Sequence, residues 1–249
     1  MNVQQYKQDY ARDGFVVIRS FLTSTELNEL CENLERYIRD VVPSLPSSSA
    51  FYVDRDRPET LKQMQHMGCD PFFESYRKHA KWTALAEALI NERAEAQQPE
   101  WFNKPPGTDA PTPPHQDNFY FCLKPPNVVT LWLALDPVDV ENGCLRYVAG
   151  SHHQGIRPHH PTETLGFSQG VSDFGEIDRS KEAAIRLDPG DLTAHHGETI
   201  HRADANRSPD RNRRAFAMVF RGESCQRDND AYTRYEAALH RQHERIGVG

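Results

Sequence analysis

The sequence predicts a mainly β protein with helices, a sandwich or jelly roll whose strands follow a helical first half. Three observations carry that expectation. Seven short stretches rich in Val, Phe, Tyr and Trp, punctuated by Pro and Gly, crowd between Trp101 and Arg221, a strand density suited to a jelly roll. The first ~100 residues instead repeat apolar side chains at helical spacing. The 249 residues are 37 % hydrophobic, with 29 basic against 36 acidic side chains and a net charge of −7. That is enough apolar material for a buried core under a polar surface.

Taken in order, Gly14-Phe15-Val16-Val17-Ile18 is short and β-branched and reads as a strand. Thr23 with Glu26 forms a capping box, and Leu27, Leu30, Leu34, Ile38 and Val41 then recur at helical spacing, so a helix runs from there and ends before Pro43. Residues 43–49 (PSLPSSS) form a loop. Pro71 to Asn91 reads as one or two helices, the second burying Trp82, Leu85, Leu89 and Ile90. Strands are expected near 100–104, 115–123, 128–135, 144–149, 191–196, 198–203 and 213–221. Between them, residues 150–184 form a polar insertion of the kind that serves as a lid or binding loop. Asp228 to Ile246 reads as a terminal helix. The whole, 1–249, is expected to be one domain: a mostly helical part (1–99), a β core (100–222) and a C-terminal helix (223–249), with no internal repeat.

Several function classes fall away. The longest apolar stretch, Val128 to Leu135, contains Thr130 and falls far short of the roughly 20 residues that cross a bilayer. The N-terminus lacks the layout of a secretory signal, so a cytoplasmic location is expected. Cys31, Cys69, Cys122, Cys144 and Cys225 are odd in number and scattered, which suggests neither a disulfide framework nor a zinc ribbon. The acidic balance, with no aromatic platform among the arginines, speaks against nucleic acid and anionic membranes as partners. A small molecule is the expected partner, and oligomeric state is not legible.

The sharpest local feature is His115-Gln116-Asp117, following a Pro-rich loop. In a strand, residues i and i+2 share a face, so His115 and Asp117 can offer an imidazole nitrogen and a carboxylate oxygen to one ion. A non-haem Fe(II) site of two His and one carboxylate needs a further histidine from another strand. The candidates are His195, His196 and His201, of which His201 is preferred. Because His195 and His196 are adjacent, only one of them can face inward. His152/His153 and His159/His160 fall in the insertion and are expected to be exposed. Arg213 and Arg214 alternate, so one of them can enter the barrel, where its guanidinium would need an anion and would suit a dicarboxylate. Arg207 and Arg211 read as a solvated loop.

With these residues in view, the sequence resembles the phytanoyl-CoA dioxygenase (PhyH) family of Fe(II)/2-oxoglutarate-dependent oxygenases. The likeness runs over about residues 100–221, through Asn103-Lys104-Pro105-Pro106, His115-Gln116-Asp117, Trp132, Glu141-Asn142-Gly143-Cys144-Leu145, Gly150-Ser151-His152, Gly190-Asp191, His201, Asn206 and Arg213. It implies a double-stranded β-helix (jelly-roll, cupin-like) core. It also implies iron ligands His115, Asp117 and His201, Arg213 paired with the distal carboxylate of 2-oxoglutarate, Trp132 lining that pocket, and Lys62 or Gln63 as a further contact. The cofactors it implies are Fe(II), 2-oxoglutarate and O2, in a hydroxylase that converts 2-oxoglutarate to succinate and CO2. Related halogenases lack the carboxylate, so Asp117 favours hydroxylation.

Substrate preference rests on polar residues that can face the mouth. Asn103, Lys104, Asn118, Arg146, Arg157 and Arg202 favour a small anionic or zwitterionic substrate of the amino-acid or phosphonate type. The alternatives are an acyl-CoA hydroxylase of the same family, a metal-dependent hydrolase or isomerase using Zn(II) or Mn(II) in the same site, and a ligand-binding protein without catalysis.

Overall fold

A computed structural model of the chain describes residues 2–108, 110–162 and 169–246, with 240–246 by backbone alone. Its elements begin with α1 (Val3–Asp13), β1 (Phe15–Ile18), α2 (Ser24–Asp40), β2 (Ala50–Tyr52), β3 (Leu61–Met64), α3 (Pro71–Tyr76), α4 (Ala80–Ile90), β4 (Ala94–Ala96), β5 (Glu100–Lys104) and β6 (Thr112–His115). The chain continues through α5 (Asp117–Phe121), β7 (Leu123–Lys124), β8 (Val128–Ala134), β9 (Leu145–Val148), β10 (His159–Pro161), β11 (Gln169–Val171) and α6 (Glu176–Ser180). It closes with β12 (Glu182–Ala184), β13 (Leu192–His196), β14 (His201–Ala203), β15 (Arg213–Gly222), β16 (Gln226–Arg227) and α7 (Asn229–Ile246).

The strands make a large antiparallel sheet in the order β1-β13-β8-β15-β5-β3-β2, with β4 on β15, and a smaller one in the order β12-β9-β14-β6. β8 is buried along its whole length because both its faces are covered. Leu131 and Leu133 point outward into a core shared with Leu30, Leu34, Tyr37 and Trp82 of the helices. Trp132 and Ala134 point inward, among Leu145, Tyr147, Ala203, Ala215 and Ala217 between the two sheets. This is the double-stranded β-helix with helices packed on its outer face.

Helix α2 starts at the expected capping box: Thr23 N–H donates to Glu26 Oε2 at 2.7 Å, and Glu26 N–H donates to Thr23 Oγ1 at 3.3 Å. Its last residue precedes Val41, two short of Pro43. Helix α1 ends at Gly14, in the left-handed region at φ 80°, where an added Cβ would collide with Thr199 Oγ1 and the His152 ring. Gly14→Ala is therefore expected to cost about 1–3 kcal/mol, read as a lowered thermal midpoint.

Three expectations need correction. Residues 115–123 are not one strand, because β6 stops at His115 and α5 begins at Asp117. The turn is closed by the Asn118 side chain, which donates to Leu123 O at 3.0 Å and accepts from Leu123 N at 3.1 Å. The first half is not wholly helical around one strand, since β2 and β3 extend the large sheet beside β5. At three and four residues they are too short to carry a clear strand signal, and the pairing of β3 with β5 and of β2 with β3 decides their conformation. The insertion is not plain loop either. It holds β10 paired with β11, then α6 and β12, while its residues 163–168 lie outside those described. No helix among the described residues is long and apolar enough to cross a membrane.

Candidate active site

His115 ends β6 and His201 begins β14, and the two are direct partners across that ladder. Their ring centroids lie 4.1 Å apart. His115 Nδ1 lies 2.8 Å from Pro113 O, and His201 Nδ1 lies 3.0 Å from Thr199 O. A carbonyl only accepts, so each Nδ1 carries the hydrogen and each Nε2 carries the lone pair. Both Nε2 atoms stand 3.6 Å from Asp117 Oδ1. The ligand atoms of the three residues all fall within 4.8 Å of one another, the only such cluster among the described residues.

Asp117 does not reach this point by strand alternation, since it opens α5. The residue between, Gln116, turns away and ties two loops: its Nε2 donates to Gly155 O and Glu198 O at 2.9 and 2.7 Å, and its Oε1 accepts from Arg157 N at 2.8 Å. Burial alone would raise the Asp117 carboxyl, but His201, His195 and His115 hold it well below the ordinary carboxylate range. Burial lowers both His115 and His201, so both stay neutral. Neutral imidazole and ionised carboxylate are the forms that ligate a cation.

The anion side of the site lies on the large sheet. Arg213 faces inward, fully enclosed, with its guanidinium 5.2 Å above the Trp132 ring. Its Nε has no hydrogen-bond partner, and no carboxylate lies within ion-pair distance of it among the described residues. Burial pushes it down to about 10. Arg214 alternates outward and pairs with Asp136 through both its Nε and its terminal nitrogen. On β8, Trp132 is two residues from Thr130 on the inward face, about 7 Å along the strand, and Thr130 Oγ1 donates to Asp117 at 2.7 Å. A buried guanidinium with no carboxylate partner among the described residues thus sits near three converging side chains that could ligate an ion. Both halves fit the groups the motif implies: an ion held by two histidines and a carboxylate, and a dicarboxylate bridging toward the guanidinium.

The remaining candidates divide. Lys104 faces inward as the direct partner of Arg213, its Nζ donating to Ala110 O at 2.6 Å, and burial ahead of Arg213's charge pushes it down to about 7. Gln63 stands opposite Phe102, on the inward face, and Lys62 beside it is half-buried. Other expected mouth residues are committed within the fold. Asn103 donates to Leu61 O and Asn212 Oδ1, and Asn118 closes its own turn. Arg202 pairs with Glu182 and Asp204, Arg146 with Asp204, and Arg157 with Asp173 and Asp178. Their periodicity marked them as polar and said nothing of these partners.

Among the other histidines, His152 and His153 dock on the last carbonyls of α1, and His196 accepts from Glu198 N. His159 stacks on Phe119 at 4.0 Å. Several motif residues serve the scaffold. Buried Asn142 bonds to Pro137 O and Asp139 N, and Asn206 ties Lys104 O to Arg211 O, which fixes the loop leading into Arg213.

Two histidines and a carboxylate converging on a double-stranded β-helix are the donor set that non-haem Fe(II) oxygenases use. The chain matches the phytanoyl-CoA dioxygenase (PhyH) family over residues 10–215, and it belongs to that family. It is 29 % identical over 168 residues to phytanoyl-CoA dioxygenase 1 of Oryza sativa subsp. japonica, covering 63 % of this chain and 56 % of the relative. It is 30 % identical over 159 residues to the phytanoyl-CoA dioxygenase of Arabidopsis thaliana, covering 63 % and 55 %. These matches span just over half of each relative's length. In fold it resembles the epimerase SnoN, solved in complex with Fe3+, alpha ketoglutarate and nogalamycin RO, with a TM-score of 0.71 at 24 % identity over 90 % of this chain and 84 % of that one.

Proposed function

We propose that this protein is an Fe(II)- and 2-oxoglutarate-dependent dioxygenase that hydroxylates an aliphatic C–H bond of a small zwitterionic substrate. The observation that carries the reading is the convergence of His115 Nε2, His201 Nε2 and Asp117 Oδ1 beside the unpaired, buried Arg213. Once bound, Fe(II), 2-oxoglutarate and O2 supply the oxidising chemistry, with succinate and CO2 as the products of the cosubstrate.

The chain's own residues do the rest. His115, His201 and Asp117 would hold the ion, leaving room for the cosubstrate and O2. Arg213, braced on Trp132, binds and orients the distal carboxylate. The inward faces of β5, β8 and β15 exclude water with Phe102, Trp132, Ala215 and Ala217. A hydrolase in the same pocket would leave Arg213 without a role.

The substrate class rests on Glu100. Its register partner is Ala217, itself opposite Trp132, so its side chain enters the interior on the face that carries Arg213. Burial first and the Asp117 charge second push it up to about 7, with Gln63 opposing. No cation lies within ion-pair distance of it among the described residues. A substrate ammonium would supply that cation, which favours amino-acid or aminophosphonate substrates over acyl-CoA.

The test is succinate release across amino acids, betaines, phosphonates and acyl-CoA thioesters, preceded by an anaerobic titration with Fe(II) and 2-oxoglutarate watched for a visible charge-transfer band. A band, with succinate released on an amine-bearing compound, is expected. Glu100→Gln should raise the KM for that compound by at least about tenfold, the loss of roughly one charged hydrogen bond, with 2-oxoglutarate affinity unchanged. Turnover on acyl-CoA alone overturns the substrate class, and iron binding without a band overturns the reaction.

A further inference from the structure

The oxygen of Asp117 that does not face the histidine pair is held by two donors. Thr130 Oγ1 donates to Oδ2 at 2.7 Å, and His195 Nε2 stands 3.1 Å from the same atom. His195 is the inward member of the adjacent pair, direct partner of Thr130 across the β13–β8 ladder, and it is buried. Its other nitrogen, Nδ1, lies 2.9 Å from the Tyr147 hydroxyl. A carboxylate only accepts, so the ring hydrogen is on Nε2; Nδ1 is then bare and accepts from the Tyr147 O–H. The opposite tautomer would set a lone pair against Oδ2. Tyr147 is itself fixed, fully buried, stacked on Phe15 at 4.7 Å and paired with His201 across the β9–β14 ladder.

We infer that His195 is a positioning residue: through its Nε2–H, oriented by Tyr147, it holds Asp117 as a one-oxygen ligand. This rests on the metal-site reading above. The two oxygens of a carboxylate are chemically equal, and rotation about Cβ–Cγ would let both approach an ion. Two donors on Oδ2 remove that freedom and leave Oδ1, which accepts no hydrogen bond among the described residues, as the atom equidistant from the two histidine nitrogens. One-oxygen ligation keeps three positions open, the number that a chelating 2-oxo acid and O2 require. His195 is not a further ligand, because its Nε2 carries the hydrogen.

The test uses the full chain and Co(II), whose visible ligand-field spectrum reports coordination without turnover. Wild type, His195→Phe, His195→Gln and Tyr147→Phe are titrated anaerobically, with thermal unfolding of the metal-free proteins as a check on folding. His195→Phe should bind Co(II) about 10–100-fold more weakly, the usual effect of removing a partner of a metal ligand, with an altered band shape. His195→Gln, whose amide keeps an N–H for Oδ2, should recover most of the affinity and the band. Tyr147→Phe should weaken binding at least threefold, and it decides the matter should His195→Phe fail to fold.

A folded His195→Phe, or failing that Tyr147→Phe, with the affinity and spectrum of wild type overturns the inference alone. Equal losses in His195→Phe and His195→Gln overturn it as well, since ring shape rather than the donor would then matter. Wild type that binds no Co(II) overturns the metal-site reading and this inference with it.

Discussion

Asp117→Ala is expected to bring substrate-dependent succinate formation down by more than about 100-fold, beyond what loss of a ligand's hydrogen-bond partner alone produces. Three effects act together. On the proposed reading an ion would lose the one anionic side chain of the cluster and keep only the His115 and His201 nitrogens. The His195 N–H and Thr130 O–H, which both point at Oδ2, are left without an acceptor. The charge that offsets the cation in a buried pocket is gone.

The same geometry predicts rescue. Formate placed in the vacated space would meet both donors, so millimolar formate should restore part of the Co(II) affinity of Asp117→Ala and none of that of an Asp117→Ala/His195→Phe double variant. Metal titration and succinate release measure both effects. An Asp117→Ala protein that keeps most of its turnover removes Asp117 from the site.

Arg213→Met is expected to raise the 2-oxoglutarate KM on the order of 100-fold, about 2.7 kcal/mol, within the cost of deleting one partner of a buried charge pair. Co(II) binding should be unchanged. In the ligand-free protein the sign reverses. A guanidinium enclosed without an anion is a destabilising feature, visible in its lowered pKa and its unpartnered Nε. Replacing it with an apolar side chain of similar length should therefore raise the thermal midpoint of the free protein while abolishing the further rise that 2-oxoglutarate gives wild type. Arg214→Met is the control: it loses the ion pair with Asp136 on the outer face and leaves 2-oxoglutarate affinity intact. Reversed behaviour of the two variants would move the anion site to the other face of β15.

The jelly roll was legible because β8, β9, β13 and β15 carry their own strand composition, and α2 was legible because its capping box and apolar stripe are local. β2 and β3 were not. Strands of three and four residues, Ala50–Tyr52 and Leu61–Met64, set among Ser-, Arg- and Pro-containing loops, form there because β3 pairs with β5 and β2 pairs with β3. The α5 turn was missed for a similar reason: Phe119, Tyr120 and Phe121 are strong strand formers, and the hydrogen bonds of Asn118 to Leu123, with Asn118 N–H donating to Gly197 O at 2.7 Å, override them. The commitment of Asn103, Asn118 and Arg202 to internal partners was equally invisible, since most of those partners are remote in the chain or lie in the backbone.

Composition and spacing alone give the chemistry available: which residue types could ligate, His115, Asp117 and His201 among them, and that only one member of each pair His195/His196 and Arg213/Arg214 can face inward. Only the tertiary structure decided which member does. Alternation along a strand is a parity rule, and its sign is set by the register against neighbouring strands, Thr130 opposite His195 and Lys104 opposite Arg213. The same pairing decided that Asp117 offers Oδ1 and keeps Oδ2 for His195 and Thr130. Two chemically identical oxygens are distinguished only by what surrounds them.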